Sequence, residues 1–431
     1  QEGANITLEF DEDITLNGYF APFRGNLTIN GGTINNENAS YSAIEINAGT
    51  LVLNDVKVTS KRHGVRIDGA VTATINGGEY RLSATSGTRH AVNVSGAANV
   101  TIKAGTFVGP AGTSMDSGSA VCVQAGAIVT IEGGDFSGGK NATLGVSGTM
   151  IVKGGTFDQN PSDYVPTGYT TQILDNGKYE VLYAIASIGT KYYGDLYEAM
   201  VAAKSGETVK LVNDVDLAGT EWEPVSFKGI FDGQDHIISN LTINKPGVSN
   251  TGFITSLNGT FKNVTFTNPT VTGGDCTAVV AGRAGGGAAY AHNITINGTI
   301  KVETTHSGYA RAGGIVGGWA YGNYKNITVD GGDKATSYIK HTGGGDGRYV
   351  AGIVGHADDV ESYTNCTVKN ITISGGWLCG GIAGPGPSDG LATGCSVENI
   401  DMGADYSGGM FGWYYGDGTI KDATVKDVTF T

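Results

Sequence analysis

The stretch that decides the fold runs from Ala91-Val-Asn-Val-Ser-Gly96 into Asn99-Val-Thr-Ile-Lys-Ala-Gly-Thr-Phe107. It recurs as Ala120-Val-Cys-Val-Gln-Ala-Gly126 followed by Ile128-Val-Thr-Ile-Glu-Gly-Gly-Asp-Phe136. In each half, Val or Ile alternates with a polar or small residue, and a glycine follows. Alternation over such a short run is typical of a β-strand with one buried face. The stretch therefore predicts pairs of short strands joined by tight corners.

Looser copies of this pair cover residues 43–58, 64–80 and 143–157, so the period is about 21 to 29 residues. One copy cannot bury its apolar face, whereas stacked copies form a continuous interior column of Val and Ile. Gly and Asn at the corners supply the positive φ values that sharp turns need. The pattern predicts a parallel β-helix. The alternative, a β-sandwich, would show hairpin signals at a closer, regular spacing.

The composition excludes several classes of protein. The chain has 431 residues with 71 glycines and 9 prolines, it lacks the Gly period of collagen, and 39% of it is apolar, unlike a disordered linker. A net charge of -14 and the absence of long Lys/Arg runs argue against a nucleic-acid partner. No apolar stretch is long enough for a transmembrane helix, so we expect no membrane-spanning segment in this chain.

The repeat lapses over residues 161–183, which contain two prolines and a hairpin signal at Asp175-Asn-Gly177. We therefore expect an N-terminal β-helix over residues 1–160, a linker or hairpin over 161–183, and a C-terminal β-helix over 184–431. Residues 195–204 have helical periodicity behind a capping Asp195, with Gly206 just beyond the end. This short helix would cap the second solenoid.

The second array repeats two patterns. Its strands are Phe261-Lys-Asn-Val-Thr-Phe266, His292-Asn-Ile-Thr-Ile296, Lys325-Asn-Ile-Thr-Val329, Thr364-Asn-Cys-Thr-Val368, Thr393-Gly-Cys-Ser-Val397 and Lys421-Asp-Ala-Thr-Val425. Between them lie Ala278-Val-Val-Ala281, Gly314-Ile-Val-Gly317, Gly352-Ile-Val-Gly355, Gly381-Ile-Ala-Gly384 and Gly409-Met-Phe-Gly412. We interpret the second pattern as a corner where glycine allows close backbone packing and the central residues enter the core.

The Gly-Ile-Val-Gly repeats resemble the GLUG motif of bacterial secreted and surface proteins, over about residues 184–431. The N-terminal array resembles the pectin-lyase-like β-helix superfamily. This resemblance implies a right-handed parallel β-helix on an exported protein, at the cell surface or outside the cell. It implies no particular activity, because the same architecture serves adhesins, lyases and hydrolases. The predicted fold is thus all-β, with two right-handed parallel β-helix domains and one short capping helix.

The five cysteines are too few and too scattered for a disulfide framework. We expect buried free thiols, with Cys276 and Cys379 at one motif position and Cys366 and Cys395 on adjacent coils. A disulfide between Cys366 and Cys395 is the alternative.

Acidic residues come closest to a metal or catalytic cluster at Asp214, Asp216, Asp232 and Asp235. Carboxylates on neighbouring coils hold calcium in a lyase or flank the sugar in a hydrolase. Asp-Gly is also an ordinary turn signal, so corner structure is the alternative. We predict no cofactor other than a calcium ion at these acids.

Basic residues precede two consecutive GLUG-like repeats: His306 and Arg311 before the first, and His341, Asp346 and Arg348 before the next. Stacking would bring them onto one lateral surface, where they could bind a carboxylated sugar. The alternative is a solvated loop face.

Large aromatic residues occur in the loops after or before the repeats, at Trp319, Tyr321, Tyr324, Trp377 and residues 413–415. Exposed rings stack on sugar faces while their polar edges stay wet. For Trp413 we favour packing of the terminal coil, with sugar binding as the alternative, whereas the two interpretations weigh equally for Trp319 with Tyr321.

Together these patterns predict an exported, cell-surface adhesin-like or glycan-binding protein without catalytic activity. Its partner would be a polysaccharide, a host or cell-surface glycan, or a protein. The alternative functions are a carbohydrate-active enzyme, either polysaccharide lyase or glycoside hydrolase, and a structural stalk.

Overall fold

A computed structural model describes residues 3–11, 14–83, 88–110, 118–138, 143–285, 289–344, 348–387, 390–414 and 417–431. Long parallel sheets dominate it, which confirms the predicted all-β fold with parallel β-structure. Contacts divide the chain into two compact units, Gln1–Tyr183 and Ala184–Thr431, each with its own apolar core.

The described residues of the N-terminal unit form twenty strands and one 3-10 turn, Ser162–Tyr164. The strands are β1 (Ala4–Glu9), β2 (Thr15–Asn17), β3 (Phe20–Asn30), β4 (Thr33–Asn36), β5 (Ile44–Asn54), β6 (Val56–Ser60), β7 (Val65–Ile67), β8 (Val71–Ile75), β9 (Gly78–Leu82), β10 (His90–Val94), β11 (Asn99–Ile102), β12 (Thr106–Val108), β13 (Ser119–Val123), β14 (Ile128–Ile131), β15 (Asp135–Ser137), β16 (Leu144–Val146), β17 (Thr149–Val152), β18 (Gly155–Phe157), β19 (Tyr169–Ile173) and β20 (Tyr179–Tyr183).

Each strand of a coil pairs in parallel with its equivalent on the next coil. Strand β10 pairs with β13, β11 with β14, and β12 with β15, so one coil supplies a strand to each of three faces. The registers place Val on Val and Phe on Phe, as in Val92 with Val121 and Phe107 with Phe136. This is the stacked-coil arrangement that the repeat predicts.

The aromatic residue that ends each copy of the repeat builds a stack inside the core. Tyr80, Phe107, Phe136 and Phe157 are buried, and successive ring centroids lie 5.0, 4.9 and 4.8 Å apart with nearly parallel planes. These distances match the spacing of neighbouring strands, so the ring stack follows directly from the strand register.

The stretch 161–183 joins the N-terminal unit. Strands β19 and β20 form the expected hairpin around Gly177, which has a φ of +81°. Strand β20 also pairs antiparallel with β18, where it ends the run of parallel strands on that face. The hairpin therefore extends the sheet of the first solenoid.

The described residues of the C-terminal unit form one α-helix, α1 (Leu196–Ala202), and twenty-seven strands. The strands are β21 (Ala186–Ile188), β22 (Lys191–Tyr193), β23 (Thr208–Leu211), β24 (Val215–Asp216), β25 (Ile230–Asp232), β26 (Ile237–Ser239), β27 (Thr242–Asn244), β28 (Ile254–Leu257), β29 (Thr260–Thr267), β30 (Thr270–Gly273), β31 (Thr277–Ala278), β32 (Ala281–Ala284), β33 (Tyr290–Asn297), β34 (Lys301–Thr304), β35 (Ala310–Gly313), β36 (Val316–Gly318), β37 (Ala320–Asp330), β38 (Tyr338–His341), β39 (Arg348–Ala351), β40 (Ala357–Thr364), β41 (Thr367–Gly380), β42 (Ala383–Pro385), β43 (Leu391–Thr393), β44 (Ser396–Gly408), β45 (Phe411–Trp413), β46 (Thr419–Lys421) and β47 (Thr424–Phe430).

Helix α1 forms where the sequence predicts it and ends slightly earlier. The Asp195 side chain accepts a hydrogen bond from the Glu198 amide at 2.9 Å, as an N-cap residue should. Leu196, Ala199 and Met200 face the core of the C-terminal unit.

The GLUG-like corners stack directly on one another. The Gly314 amide donates to the Gly352 carbonyl at 3.0 Å, and the Gly352 amide to the Gly381 carbonyl at 3.1 Å. A Cβ at Gly352 would lie 2.2 Å from the Gly381 oxygen, so only glycine fits there. The following residues, Ile315 and Ile353, are fully buried, as the corner interpretation requires.

The first GLUG-like copy is one residue later than the sequence pattern places it. Ala281 pairs with Val316, so the copy equivalent to Gly314-Ile-Val-Gly317 is Val279-Val-Ala-Gly282. The strand register aligns Cys379 with Thr277 through Ala312 and Val350. The prediction that Cys276 shares a position with Cys379 is therefore wrong, and Cys276 instead takes a left-handed conformation with a φ of +59°.

All five cysteines are free thiols, and four of them are buried, Cys122 being half-buried. Cys366 and Cys395 lie on adjacent coils, because Thr364 pairs with Thr393 and Thr367 with Ser396. The described residues include no helix long and apolar enough to cross a membrane.

Candidate functional site

Two of the four predicted acidic ligands are held by neighbouring polar groups on the next coil. Asp214 Oδ1 lies 3.0 Å from both the His236 Nδ1 atom and the Ile237 amide, and the amide hydrogen bond lowers the pKa of Asp214. Asp216 Oδ1 accepts from Asn240 Nδ2 at 2.8 Å. These contacts are those of corner residues that tie one coil to the next.

Asp232 is buried at a corner. It accepts a hydrogen bond from Asn263 Nδ2 at 2.9 Å and lies 3.1 Å from Lys262 Nζ. Asp235 forms part of the same turn, with a left-handed φ of +63°. Over the described parts of the chain, no three His, Cys, Asp or Glu side chains are placed to hold a metal ion together. The calcium site stays a prediction.

The structure places the two predicted histidines next to each other, but their rings do not form a pair that is open to a ligand. His341 is buried, its Nε2 atom lies 2.8 Å from the His306 carbonyl oxygen, and burial lowers its pKa. His306 Nδ1 accepts from the Gly308 amide at 3.0 Å. Asp346 lies outside the described residues. The two rings thus mainly organise the main chain of this loop.

Arg311 occupies the centre of the predicted basic surface. It is buried, and its Nη1 atom forms a 2.6 Å ion pair with Asp275. The guanidinium lies 4.5 Å from the ring centroid of Trp319 and 5.6 Å from that of Tyr309, which is cation–π geometry. Arg311 therefore fixes an exposed ring on each side of itself.

Arg348 follows Arg311 on the next coil, because Ala310 pairs with Arg348 and Arg311 with Tyr349. The Nε atoms of both arginines are buried and have no hydrogen-bond partner among the described residues. The same holds for Nδ1 of His356. Buried polar atoms are usually hydrogen-bonded, so these three atoms are exceptions to that rule.

Arg311 lies at one end of a series of rings that crosses successive coils, and its guanidinium links the first two members, Tyr309 and Trp319. We call Tyr309, Trp319, Tyr349, His356, Trp377, Tyr406 and Trp413 the aromatic row. Its ring centroids are 5.5 Å apart for Trp319 and His356, and 4.5 Å for His356 and Tyr349. The series continues from Tyr349 to Trp377 at 6.4 Å, and from Trp377 to Tyr406 at 5.7 Å and to Trp413 at 6.0 Å.

Much of the aromatic row faces solvent. The exposed fraction is 62% for Tyr309, 42% for Trp319, 59% for Tyr406 and 50% for Trp413. Trp377, Leu378, Tyr406, Gly412 and Trp413 line a pocket of about 370 Å³ at its far end. The row is thus a long, open surface of amphipathic rings with a small recess at its far end.

The two tyrosines after Trp319 have different roles from those expected. The Tyr321 hydroxyl donates to the Asp358 carboxylate, which raises the pKa of Tyr321. Tyr324 lies in β37, is fully buried and stacks on Tyr363 at 5.6 Å, so its assignment to a loop is wrong. The same assignment is wrong for Tyr321 in β37, Trp377 in β41 and Trp413 in β45. The alternation of β37 points Tyr324 inward, into the core column.

Four members of the row were not among the predicted site residues: Tyr309, Tyr349, His356 and Tyr406. Each lies beside a GLUG-like corner, next to positions that the sequence does single out. What they share is an aromatic or imidazole side chain close to the corner on successive coils. The sequence alone does not show that these positions align, because the loops between corners differ in length.

No family model matches the chain, and no solved structure matches it. The protein Halomucin of Haloquadratum walsbyi is 29% identical to this chain over 146 residues. The similar segment covers 30% of this chain and 1% of Halomucin, so the chain spans only a very small part of that protein's length. The similarity is local, and the resemblance to GLUG-containing proteins rests on the repeats themselves.

Proposed function

We propose that the chain is an exported, cell-surface or extracellular binding protein without catalytic activity. Its C-terminal unit binds a polysaccharide or a cell-surface glycan along the aromatic row. The observation that supports this most strongly is the series of ring contacts that runs from Trp319 to Trp413 across successive coils. A linear polymer that lies along the solenoid axis would meet one ring of the row after another.

The chemistry of the rings favours a sugar. Trp and Tyr combine a large apolar face with a polar edge that stays hydrated, which suits the C–H face and the hydroxyl rim of a pyranose. Arg311 forms a cation–π contact with Trp319 and an ion pair with Asp275, so the Trp319 ring is held in place before any ligand binds. A side chain that is already ordered loses less entropy on binding.

The test is binding of the purified chain to an array of polysaccharides and glycans, with and without calcium. We expect Trp319→Ala and Trp413→Ala each to weaken binding to the selected glycan by about tenfold or more. Tyr197→Ala is the matched control, because Tyr197 is also exposed but lies in α1, outside the row. If glycan binding requires calcium and Asp232→Asn removes the effect of calcium, the acidic cluster is supported as the metal site.

The same samples are assayed for new reducing ends and for unsaturated uronates. Release of either product would overturn the non-catalytic part of the proposal and favour the lyase or hydrolase alternative. If no glycan on the array binds, glycan recognition by the row is overturned. Equal losses for Tyr197→Ala and Trp319→Ala would show that the row is not the binding surface.

A further inference from the structure

A second group of exposed rings lies in the N-terminal unit. The rings of Tyr19 and Tyr41 stack with centroids 4.7 Å apart and planes at 8°, and the two residues are 38% and 46% exposed. Exposed apolar side chains are informative where they are contiguous, as these two rings are. The stacked pair offers a flat platform at the edge of the solenoid.

A buried amide fixes the position of Tyr41 relative to the next coil. Asn36 Nδ2 donates to the Tyr41 carbonyl at 2.7 Å and to Ser60 Oγ at 3.1 Å. Ser60 Oγ in turn accepts the backbone N–H of Arg62 at 3.2 Å. The corner that carries Tyr41 and the corner that carries Arg62 are therefore locked side by side.

The backbones of Arg62 and Arg89 lie at equivalent positions on neighbouring coils. Each precedes a buried histidine, and the rings of His63 and His90 stack at 5.3 Å with planes at 4°. The His90 amide donates to His63 Nδ1 at 3.1 Å, which fixes the orientation of the first ring. Because Val65 pairs with Val92 and the Gly64 amide donates to the His90 carbonyl, Arg62 and Arg89 occupy neighbouring positions, and burial and the charge of Arg62 lower the pKa of Arg89.

The nearby carboxylates are already used by other cations. Glu37 pairs with Lys61 at 2.6 Å. Glu45 and Asp68 both lie near Arg66, at 3.5 and 3.3 Å. These three acids contact two cations, Lys61 and Arg66, and none of them forms an ion pair with Arg62 or Arg89.

Within the described residues, no carboxylate forms an ion pair with Arg62 or Arg89. The Nε atom of Arg89 is buried without a hydrogen-bond partner there, and so is the hydroxyl of Ser42, one residue after Tyr41. Two adjacent cations and unused donors are costly in a folded protein, and a bound anion removes that cost. This local excess of positive charge stands out in a chain of net charge -14.

We infer that Tyr19, Tyr41, Arg62 and Arg89 form a binding site for an acidic glycan, which we call the tyrosine–arginine corner. The stacked rings contact the faces of sugar residues, and the two guanidinium groups bind carboxylate or sulfate groups on the same chain. Guanidinium is suited to this role because its planar fork gives bidentate hydrogen bonds to such anions. The site is separate from the aromatic row and does not depend on it.

The experiment measures affinity of the full chain for polygalacturonate, heparin, neutral dextran and single-stranded DNA at low salt. We expect polygalacturonate or heparin to bind and dextran not to bind, and the two acidic polymers separate carboxylate from sulfate recognition. The double variant R62Q/R89Q should bind the acidic polymer about 100-fold more weakly, at roughly tenfold for each arginine. Y19A/Y41A should also weaken binding, by about tenfold.

The matched control is K57Q/R81Q, which removes the same charge from exposed positions on β6 and β9 and should change affinity by less than about threefold. An equal loss in this control would overturn the inference, as would the absence of binding to both acidic polymers. DNA binding as tight as polygalacturonate binding would replace it by a non-specific polyanion surface. Trp319→Ala should leave acidic-polymer binding unchanged, which separates this site from the proposed function of the C-terminal unit.

Discussion

The rings of His63 and His90 are buried in the N-terminal unit, where burial lowers their pKa to about 3 and about 4. Both are neutral in the folded chain, whereas in the unfolded chain they bind protons below a pKa of about 6.5. The unfolded state therefore gains protons first as pH falls. The free energy of unfolding of the N-terminal unit should drop between about pH 6.5 and pH 4, by about 1.4 kcal/mol per pH unit for each histidine, and these two residues should contribute no change above that window.

The measurement is urea unfolding of the full chain followed by far-UV circular dichroism at several pH values. In H63N/H90N, an amide oxygen replaces the Nδ1 acceptor without titrating, so the acid-sensitive phase should flatten. His236→Asn, in the other unit, serves as the control and should leave that phase as in the wild type. An unchanged acid dependence in H63N/H90N would contradict the assignment.

Several contacts of single residues could not be predicted from the sequence. Trp319 and Arg311 were both identified as candidates, but their direct contact was not, because it depends on Asp275 from the preceding coil. The sequence predicts a loop position for Tyr324 because it follows Trp319 closely. In the structure it lies in β37, where strand alternation directs its side chain into the core. Contacts between coils depend on loop lengths, which the local pattern does not encode.

At the scale of elements, the stacked GLUG-like corners leave no room for a side chain. A Cβ at Gly352 would lie 2.2 Å from the Gly381 oxygen and 2.5 Å from Val368 Cγ1, and neither neighbour can move freely. Gly352→Ala should therefore destabilise the C-terminal unit by roughly 1–3 kcal/mol. Gly344→Ala, where a Cβ meets nothing within 4 Å, should change stability by less than about 0.5 kcal/mol.

Tryptophan fluorescence during urea unfolding measures this difference directly, because all four tryptophans lie between positions 222 and 413. Equal stability of the two variants would mean that the corners can separate, and that close backbone packing is not the reason for glycine there.

The elements also show which repeats the sequence reveals. The N-terminal copies share spacing and residue types, so strands, register and the aromatic stack follow from alternation. In the C-terminal unit an additional corner, Phe253-Ile254, pairs with the first GLUG-like copy but has no matching Gly-Ile-Val-Gly spelling. Burial constrains only the volume and polarity of the side chain at such a position, so different apolar residues fit equally well. The motif therefore cannot be recognised there from the sequence.

At the scale of the whole molecule, the chain contains two apolar cores with no shared residue, one over positions 27–181 and one over 186–411. We predict that the two units unfold as separate cooperative transitions. Fluorescence of the tryptophans reports the C-terminal unit, whereas circular dichroism reports both. The two probes should therefore give transitions that do not coincide, which is the standard sign of departure from two-state behaviour.

A pair of core variants makes this prediction sharper. Phe136→Ala removes one ring of the N-terminal stack and should cost about 3–5 kcal/mol there, because a large cavity replaces a buried ring in contact with Phe107 and Phe157. It should shift the part of the dichroism change that fluorescence does not follow, and leave the tryptophan transition in place. Phe266→Ala in the other core should shift the tryptophan transition together with the part of the dichroism change that accompanies it. If either variant moves both transitions together, the two cores unfold as one cooperative body, and a site in one unit would then depend on the stability of the other.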